Sequence, residues 1–486
     1  MLFNAPIFVL GFLPVCLAGY FLAGRLGGGR SALIWLACAS AVFYAWWDPR
    51  FVPLLAGSVA ANYAIGQRIL RLAGGGQVRP ARRWLTVGVA ANLGLLGWFK
   101  YADLLLGSLA PGATPLGIVL PLGISFFTFQ QIMFLVDSAQ GERADAGLLP
   151  YVCFVTFFPH LIAGPIVRPR EILPQFMAPR IAIPHADNLS AGLTIFLLGL
   201  AKKLVLADSF APLADVGFNA AAHGETLTLI EAWYAVLAYA LQIYFDFSGY
   251  SDMAIGLARM LNVRFPLNFD SPYQARDISD FWQRWHITLS RFLRDYLYIP
   301  LGGSRCGTMR RTGNLMATML LGGLWHGAGW CFVLWGGLHG VYLVVHHATR
   351  RAGLRMPGGR ALTLLAVIVA WVPFRAATMD ATLAMLRGMA GLNGVALPQM
   401  IIGAIPSLAA IATPVPVLRF LGDARTLSFP EASALLVLGW GIVLLLPNVH
   451  AFSERARSLA IVGGFAFTLQ ALFFAPKVAP FLYFQF

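Results

Sequence analysis

Apolar runs long enough to cross a bilayer recur along almost the whole 486-residue chain, and that feature excludes most soluble architectures. Inside lipid only helices and closed barrels satisfy their own backbone groups, and a helix needs about 20 apolar residues to span. The strict polar–apolar alternation of an outer-membrane barrel is absent. Charged residues make up 12% of the chain, against about 25% in a soluble protein. The expectation is an all-α polytopic membrane protein with roughly eleven to thirteen helices. The first run, residues 5–23, has no basic segment before it and no clear cleavage site after it, as expected of a retained span.

The net charge of +14 needs no nucleic acid to explain it. Arg25 and Arg30 follow the first span; Arg68, Arg71, Arg79, Arg82 and Arg83 follow the third. By the positive-inside rule these loops face the cytoplasm and the N-terminus lies outside. The five cysteines include no C-x-x-C pair, and four lie in apolar runs, so they read as small packing residues rather than disulfides or zinc ligands. No phosphate-cradling loop, dinucleotide fingerprint, zinc-binding spacing or nucleophile elbow occurs. Metal ligands are not expected.

The chain reads as one integral-membrane domain over 1–486. It has N-terminal helices to about residue 150, a core over 151–349, and closing helices over 350–486. Residues 118–136 form a span whose Ser125, Thr128, Gln130 and Gln131 must face other helices or a cavity. His160 sits between Pro159 and Pro165 where a span breaks, and either lines a cavity or satisfies a freed carbonyl. Lys202 and Lys203 lie in a span and either snorkel or neutralise an anion, with snorkelling preferred. Asp246 and Asp252 are expected to pair with nearby arginines rather than to form an acid/base couple. Residues 376–398 look like a loop with one amphipathic turn.

From 262 to 313 the chain turns polar, aromatic and basic. Ile278, Phe281, Trp282, Trp285, Leu289, Phe292, Tyr296 and Leu297 recur at helical spacing, which predicts one amphipathic, surface-lying or re-entrant helix. On its polar face Asp280 with Arg284, and Arg291 with Asp295, are spaced for i,i+4 ion pairs. His286 falls on the apolar side, either as a functional group or as a histidine satisfied by backbone.

His326 is the most informative residue. It lies inside the apolar stretch 314–345, flanked by Gly322, Gly323, Gly327, Ala328 and Gly329. A polar imidazole there costs free energy unless it is hydrogen-bonded or lines a wet cavity. The small neighbours leave room for a ligand, and a neutral imidazole suits proton transfer near neutral pH. His326 is therefore the candidate catalytic base. His339, thirteen residues on, falls about 50° short of four full turns, near the same face; helix support and substrate contact are both open for it.

The stretches FDFSGYSDMAIG (245–256), FWQRWHI (281–287), LRDYLYIPLGG (293–303) and GGLWHGAGW (322–330) resemble signatures of the bacterial membrane-bound O-acyltransferase family. YAWW (44–47) and the terminal FLYFQF (481–486) resemble its alginate O-acetylation branch. The resemblance covers most of the chain and is weakest over 379–457. It implies a ring of helices around a funnel, with re-entrant helices and His326 at the constriction, and it makes His286 the second motif histidine.

It further implies acetyl-CoA as a cytoplasmic cosubstrate, no bound cofactor, and a place in the bacterial inner membrane. The acceptor would be a periplasmic exopolysaccharide similar to alginate, reached through a periplasmic SGNH-type transferase or other polysaccharide-modifying proteins. Arg284, Arg291 and Arg294 are candidates for the CoA phosphates. Trp325 or Trp330 would donate to the oxyanion. Tyr483 resembles an acyl-relay tyrosine and reads equally as an interfacial aromatic anchor. Peptidoglycan or cellulose O-acetylation is the alternative within the same chemistry. A non-catalytic acyl or polymer carrier is the alternative of another class.

Overall fold

The computed structural model describes residues 1–142, 146–354, 358–416, 418, 428–451 and 479–482. Apart from one pair of short strands, every regular element among them is helical. Three described helical stretches are long and apolar enough to cross a membrane: Ile7–Ala45, Ala186–Ala222 and Trp330–Arg351. The remaining described helices are shorter or carry charge. The contacts divide the chain into two compact units.

The first unit comprises Met1–Leu200, Tyr250–Asn268 and Leu459–Gln485. Its helices are α1 (Leu13–Ala45), α2 (Val52–Gly74), α3 (Val78–Leu96), α4 (Ala102–Leu109), α5 (Ile124–Gln140), α6 (Leu148–Thr156), α7 (Phe158–Leu161), α8 (Pro169–Phe176) and α9 (Ala186–Ala201). α1 is two apolar arms joined at Gly27 and Gly28. Gly28 has φ +73°, a conformation that lets the chain turn where the sequence predicts a loop.

The polar groups of α5 expected to avoid lipid, Ser125, Thr128, Gln130 and Gln131, are all buried, and Gln131 joins a bonded cluster with α2 and α3. Ser58 Oγ and Asn62 Nδ2 both donate to Gln131 Oε1, the first at 2.9 Å, and Asn92 Nδ2 donates to Asn62 Oδ1 at 2.6 Å. Without water, such amides join helices. His160 follows the break at Phe157, whose ψ is +108°. The Phe158 N–H is diverted to Ser40 Oγ, and His160 Nε2 takes the Phe154 carbonyl at 2.8 Å. The structural reading of His160 holds.

The second unit comprises Ala201–Gly249 and Phe269–Ser458, with Phe486. It contains α10 (Asp208–Ala222), α12 (Ile278–Arg284), α13 (Ile287–Phe292), α14 (Thr308–His326), α15 (Trp330–Arg351), α16 (Gly359–Arg375), α17 (Met379–Met389), α18 (Gln399–Ala404) and α19 (Phe429–Leu445). The 32-residue α11 (Leu229–Met260) begins in this unit and ends in the first. Strands β1 (Ala396–Pro398) and β2 (Thr413–Val415) pair in parallel. The expected loop over 376–398 is largely the 11-residue α17, capped by Thr378, whose hydroxyl accepts from the Ala381 N–H.

Lys203 does not snorkel. It is buried and its Nζ lies 2.7 Å from Asp208 and 2.8 Å from Asp246. The partner of Asp246 is thus this lysine rather than an arginine. The segment Lys202–Ala207 is a π-helical turn, whose i→i+5 repeat brings Lys203 and Asp208 together.

Candidate active site

α14 and α15 form a hairpin joined by Gly327, Ala328 and Gly329. Gly327 and Gly329 are extended, so the apolar stretch breaks immediately after His326. The two helices then pack backbone to backbone. A Cβ on Gly323 would lie 2.3 Å from the Phe332 carbonyl oxygen, and one on Gly336 2.3 Å from that of Met319. Glycine is required at both positions for this approach.

His326, the last residue of α14, is 5% exposed. Its ring centroid lies 4.9 Å from Trp325, 5.0 Å from Trp335 and 5.3 Å from Phe374. His286 meets it edge-on at 6.4 Å. His286 is itself fully buried, with Phe247 at 4.8 Å on its other side.

The amphipathic helix expected across 278–297 is in fact broken at His286. α12 stops at Trp285, whose N–H returns to the Phe281 carbonyl at 2.7 Å, and His286 adopts φ +42° before α13 begins. A left-handed non-glycine residue is strained and persists only where its surroundings hold it. The strain turns the imidazole towards His326. Asp277 caps α12 by accepting the Asp280 N–H at 2.9 Å. Beyond α13 the chain continues as a π-helical segment, Leu293–Tyr298.

α12, α13, α14 and α15 border a pocket of about 700 Å³, walled by Trp282, Ser290, Arg291, Arg294, Tyr298 and Met319 among others. Arg291 and Arg294 therefore share one cavity. Arg294 is also paired with the adjacent Asp295 at 2.6 Å. Arg284 is used differently. Its Nε donates to Asp280 at 2.8 Å, the expected i,i+4 pair, and its Nη1 donates to the Asp270 carbonyl at 3.2 Å. The Asp280 carboxyl sits below its ordinary pKa. Burial pushes it up, but the Arg276 N–H and the Arg284 and Arg276 guanidinium groups outweigh that effect.

The structure thus gathers His326, His286 and Trp325, and separately Arg291 and Arg294. Trp330 is 59% exposed at the start of α15 and does not join them. Tyr483 lies outside the described residues. Phe481 and Leu482, just before it, are buried; Phe481 meets Tyr250 at 4.8 Å, and Asn4 donates to the Ala479 carbonyl at 3.0 Å. Sequence reasoning missed Trp335 and Phe374 as walls of the His326 cage. Their signal was present but weak: Phe374 stands one turn after Trp371 on α16, and Trp335 one turn before His339 on α15. Among the described residues no cluster of three side chains could hold a metal ion.

The description "MBOAT, membrane-bound O-acyltransferase family" matches residues 84–372, which include α12–α15 and both imidazoles. The chain belongs to this family and is a membrane O-acyltransferase. It is 44% identical to the "Peptidoglycan O-acetyltransferase" of Helicobacter pylori, over 82% of this chain and 81% of that one. It is 39% identical to the "Probable alginate O-acetylase AlgI" of Azotobacter vinelandii, over the full length of both. A more distant relative is the "Teichoic acid D-alanyltransferase" of Streptococcus thermophilus, 30% identical over 47% of this chain and 57% of that one. With two acetyl-transferring relatives this similar, the protein is a membrane O-acetyltransferase.

Proposed function

We propose that this protein moves acetyl groups from cytoplasmic acetyl-CoA to a periplasmic exopolysaccharide of the alginate kind, across the bacterial inner membrane. The full-length similarity to the Azotobacter protein favours alginate. The Helicobacter relative supports peptidoglycan as the second reading. The observation that carries the chemistry is the meeting of His326 and His286 in an aromatic cage, with ring centroids 6.4 Å apart. Fixed geometry in a dry site makes proton transfer efficient, because nothing must reorganise when charge appears.

In this reading the donor enters through the pocket holding Arg291 and Arg294, whose guanidinium groups suit the CoA phosphates. His326 accepts the proton of an incoming hydroxyl while that oxygen attacks the thioester carbonyl. A C–O bond forms, the C–S bond breaks, and His326 returns the proton to the departing thiolate. His286 orients His326 or shares its proton. Trp325, beside His326, is the better placed indole to donate to the oxyanion, and the exposed Trp330 takes no part. The acceptor is Tyr483, as a relay to a periplasmic SGNH-type partner transferase, or a hydroxyl brought by that partner.

The test is polysaccharide O-acetylation in cells, read by NMR with protein amounts checked by immunoblot. His326→Gln is expected to accumulate normally and abolish acetylation; normal acetylation would end the catalytic assignment. Tyr483→Phe removes only the hydroxyl. Loss of acetylation in that variant is expected for the relay, and full acetylation would make Tyr483 an anchor.

A further inference from the structure

Three of the side chains behind the candidate pocket carry polar atoms that the mechanism above does not use. His339 is fully buried on α15, and among the described residues neither of its ring nitrogens has a hydrogen-bond partner. The same is true of the indole N–H groups of Trp282 and Trp335. These side chains touch. The ring centroid of His339 lies 5.1 Å from that of Trp282 and 4.9 Å from that of Trp335, and the two indoles are 5.9 Å apart. Phe281 stacks on the imidazole at 5.9 Å, and Tyr342 meets it edge-on at 5.7 Å.

The cluster also has a direction. Trp282 forms part of the pocket wall, as does Leu343, one turn beyond His339 on α15. At the other end, Trp335 packs on the His326 ring at 5.0 Å. The cluster is therefore a continuous run of touching rings from the wall of the arginine-bearing pocket to the candidate base. Each buried polar atom left unpaired costs about 1–3 kcal/mol, and four of them meet in this cluster. A neutral imidazole offers one donor and one acceptor, and each indole one donor.

Three donors and one acceptor in an aromatic shell do not suit a phosphate, which wants cations. They do not suit a polyol either, whose many hydroxyl donors would find a single acceptor. They suit a slender apolar chain carrying carbonyl oxygens and an occasional N–H. Secondary amides followed by a thioester have that pattern.

We propose that His339 is a positioning residue for the acyl donor, and that its imidazole, with the Trp282 and Trp335 indoles, hydrogen-bonds the amides of the donor's pantetheine arm between the pocket and His326. This rests on the reading of an acyl-CoA donor. The arginines hold the phosphate end, the Trp282–His339–Trp335 cluster holds the arm, and the thioester is delivered to His326.

The test compares two ligands on the full chain in lipid nanodiscs: radiolabelled acetyl-CoA, and 3′-phosphoadenosine 5′-diphosphate, which has the same phosphate end and no arm. His339→Ala and the volume-preserving His339→Phe are expected to weaken acetyl-CoA binding by about tenfold, the effect of one lost hydrogen bond. Neither should change the affinity for the armless nucleotide, which also shows that the protein remains folded. His339→Gln, with one donor and one acceptor in reach, should recover most of the loss. Wild-type affinity for acetyl-CoA in the Ala and Phe variants would overturn the proposal, and so would an equal loss for both ligands. A wild-type protein that binds the nucleotide but gains nothing from the arm also overturns it, while leaving His326 and the donor reading intact. A wild-type protein that binds neither ligand refutes the acyl-CoA reading and this inference with it.

Discussion

In the second unit α14 and α15 meet backbone to backbone at Gly323 and Gly336, and a single methyl group at Gly336 should disable the enzyme through that contact. A Cβ there would stand 2.3 Å from the Met319 carbonyl oxygen and 3.1 Å from the Gly323 Cα. Both are backbone atoms, so no side chain can swing aside. Carbon–oxygen contacts are comfortable from about 3.3 Å, so the helices must part by roughly 1 Å. Overpacking of this kind costs about 1–3 kcal/mol. Its effect on chemistry is larger, because Gly323 lies one turn before His326 and Gly336 one residue after Trp335, the cage wall. A displacement of about 1 Å at reacting groups can lower a rate by about a hundredfold. Gly336→Ala is therefore expected to insert and accumulate, to melt a few degrees lower in detergent, and to lose about 99% of acetyl transfer. The control is Gly337→Ala, whose Cβ would meet only Leu320 Cδ2 at an ordinary 3.5 Å; it should behave as wild type. Thermal melting by intrinsic fluorescence and polysaccharide acetylation by mass spectrometry read both effects. If the two alanine variants transfer equally well, the hairpin is not packed this way and the positional argument for His326 fails.

The arginines should separate by role. Arg291→Gln and Arg294→Gln are expected to raise the KM for acetyl-CoA about tenfold or more, the usual effect of losing a charged hydrogen bond, with little change in melting. Arg284→Gln should lower the melting temperature and leave that KM nearly unchanged, because its guanidinium serves Asp280 and the Asp270 carbonyl; the reverse pattern, measured on purified variants, would move the donor site. Asp280 has a folded pKa below its unfolded value, so its stabilising effect is present above the unfolded pKa and lost as pH falls through the folded one. Asp280→Asn is expected to lower the melting temperature at pH 7 and to narrow its gap from wild type below about pH 4; a pH-independent difference in melting would refute this account.

How much of this was legible in the sequence depended on what each residue needed. Ser125, Thr128, Gln130 and Gln131 had to be buried among helices because lipid offers them nothing, and all are. His326 stood out for the same reason, and His286 through the apolar side of its predicted helix and the family motif. The break at His286 was invisible, because apolar spacing runs through it unchanged: Trp282, Trp285 and Leu289 would lie on one face whether or not residue 286 turns left-handed. Lys203 was misjudged because its partner Asp246 is 43 residues away, a separation no local pattern reports, while Asp208 reaches it only through a π turn. Length and composition alone do not say which long helices are surrounded by protein. α11 is 32 residues long but carries Glu231, Asp246, Asp252 and Arg259, and its charges are tolerable only where protein surrounds them.

Burial alone does not separate a structural histidine from a functional one in this protein. His160 and His339 are both fully buried, and each is packed among aromatic rings. They differ in what their nitrogens meet. His160 stands one turn past a break that strips the Phe154 carbonyl of its helical donor, and it supplies that donor itself; its presence is explained by the backbone. His339 sits in the middle of a continuous helix that frees no carbonyl, and although indole and phenol rings pack against it, neither of its nitrogens has a partner among the described residues. A fold gains nothing by placing an imidazole there in preference to a phenyl ring, which would fill similar space without desolvating two nitrogens. The cost becomes intelligible only if something else that reaches the site completes those bonds, and the wall shared by Trp282 and the arginine-bearing pocket shows from which side it would come.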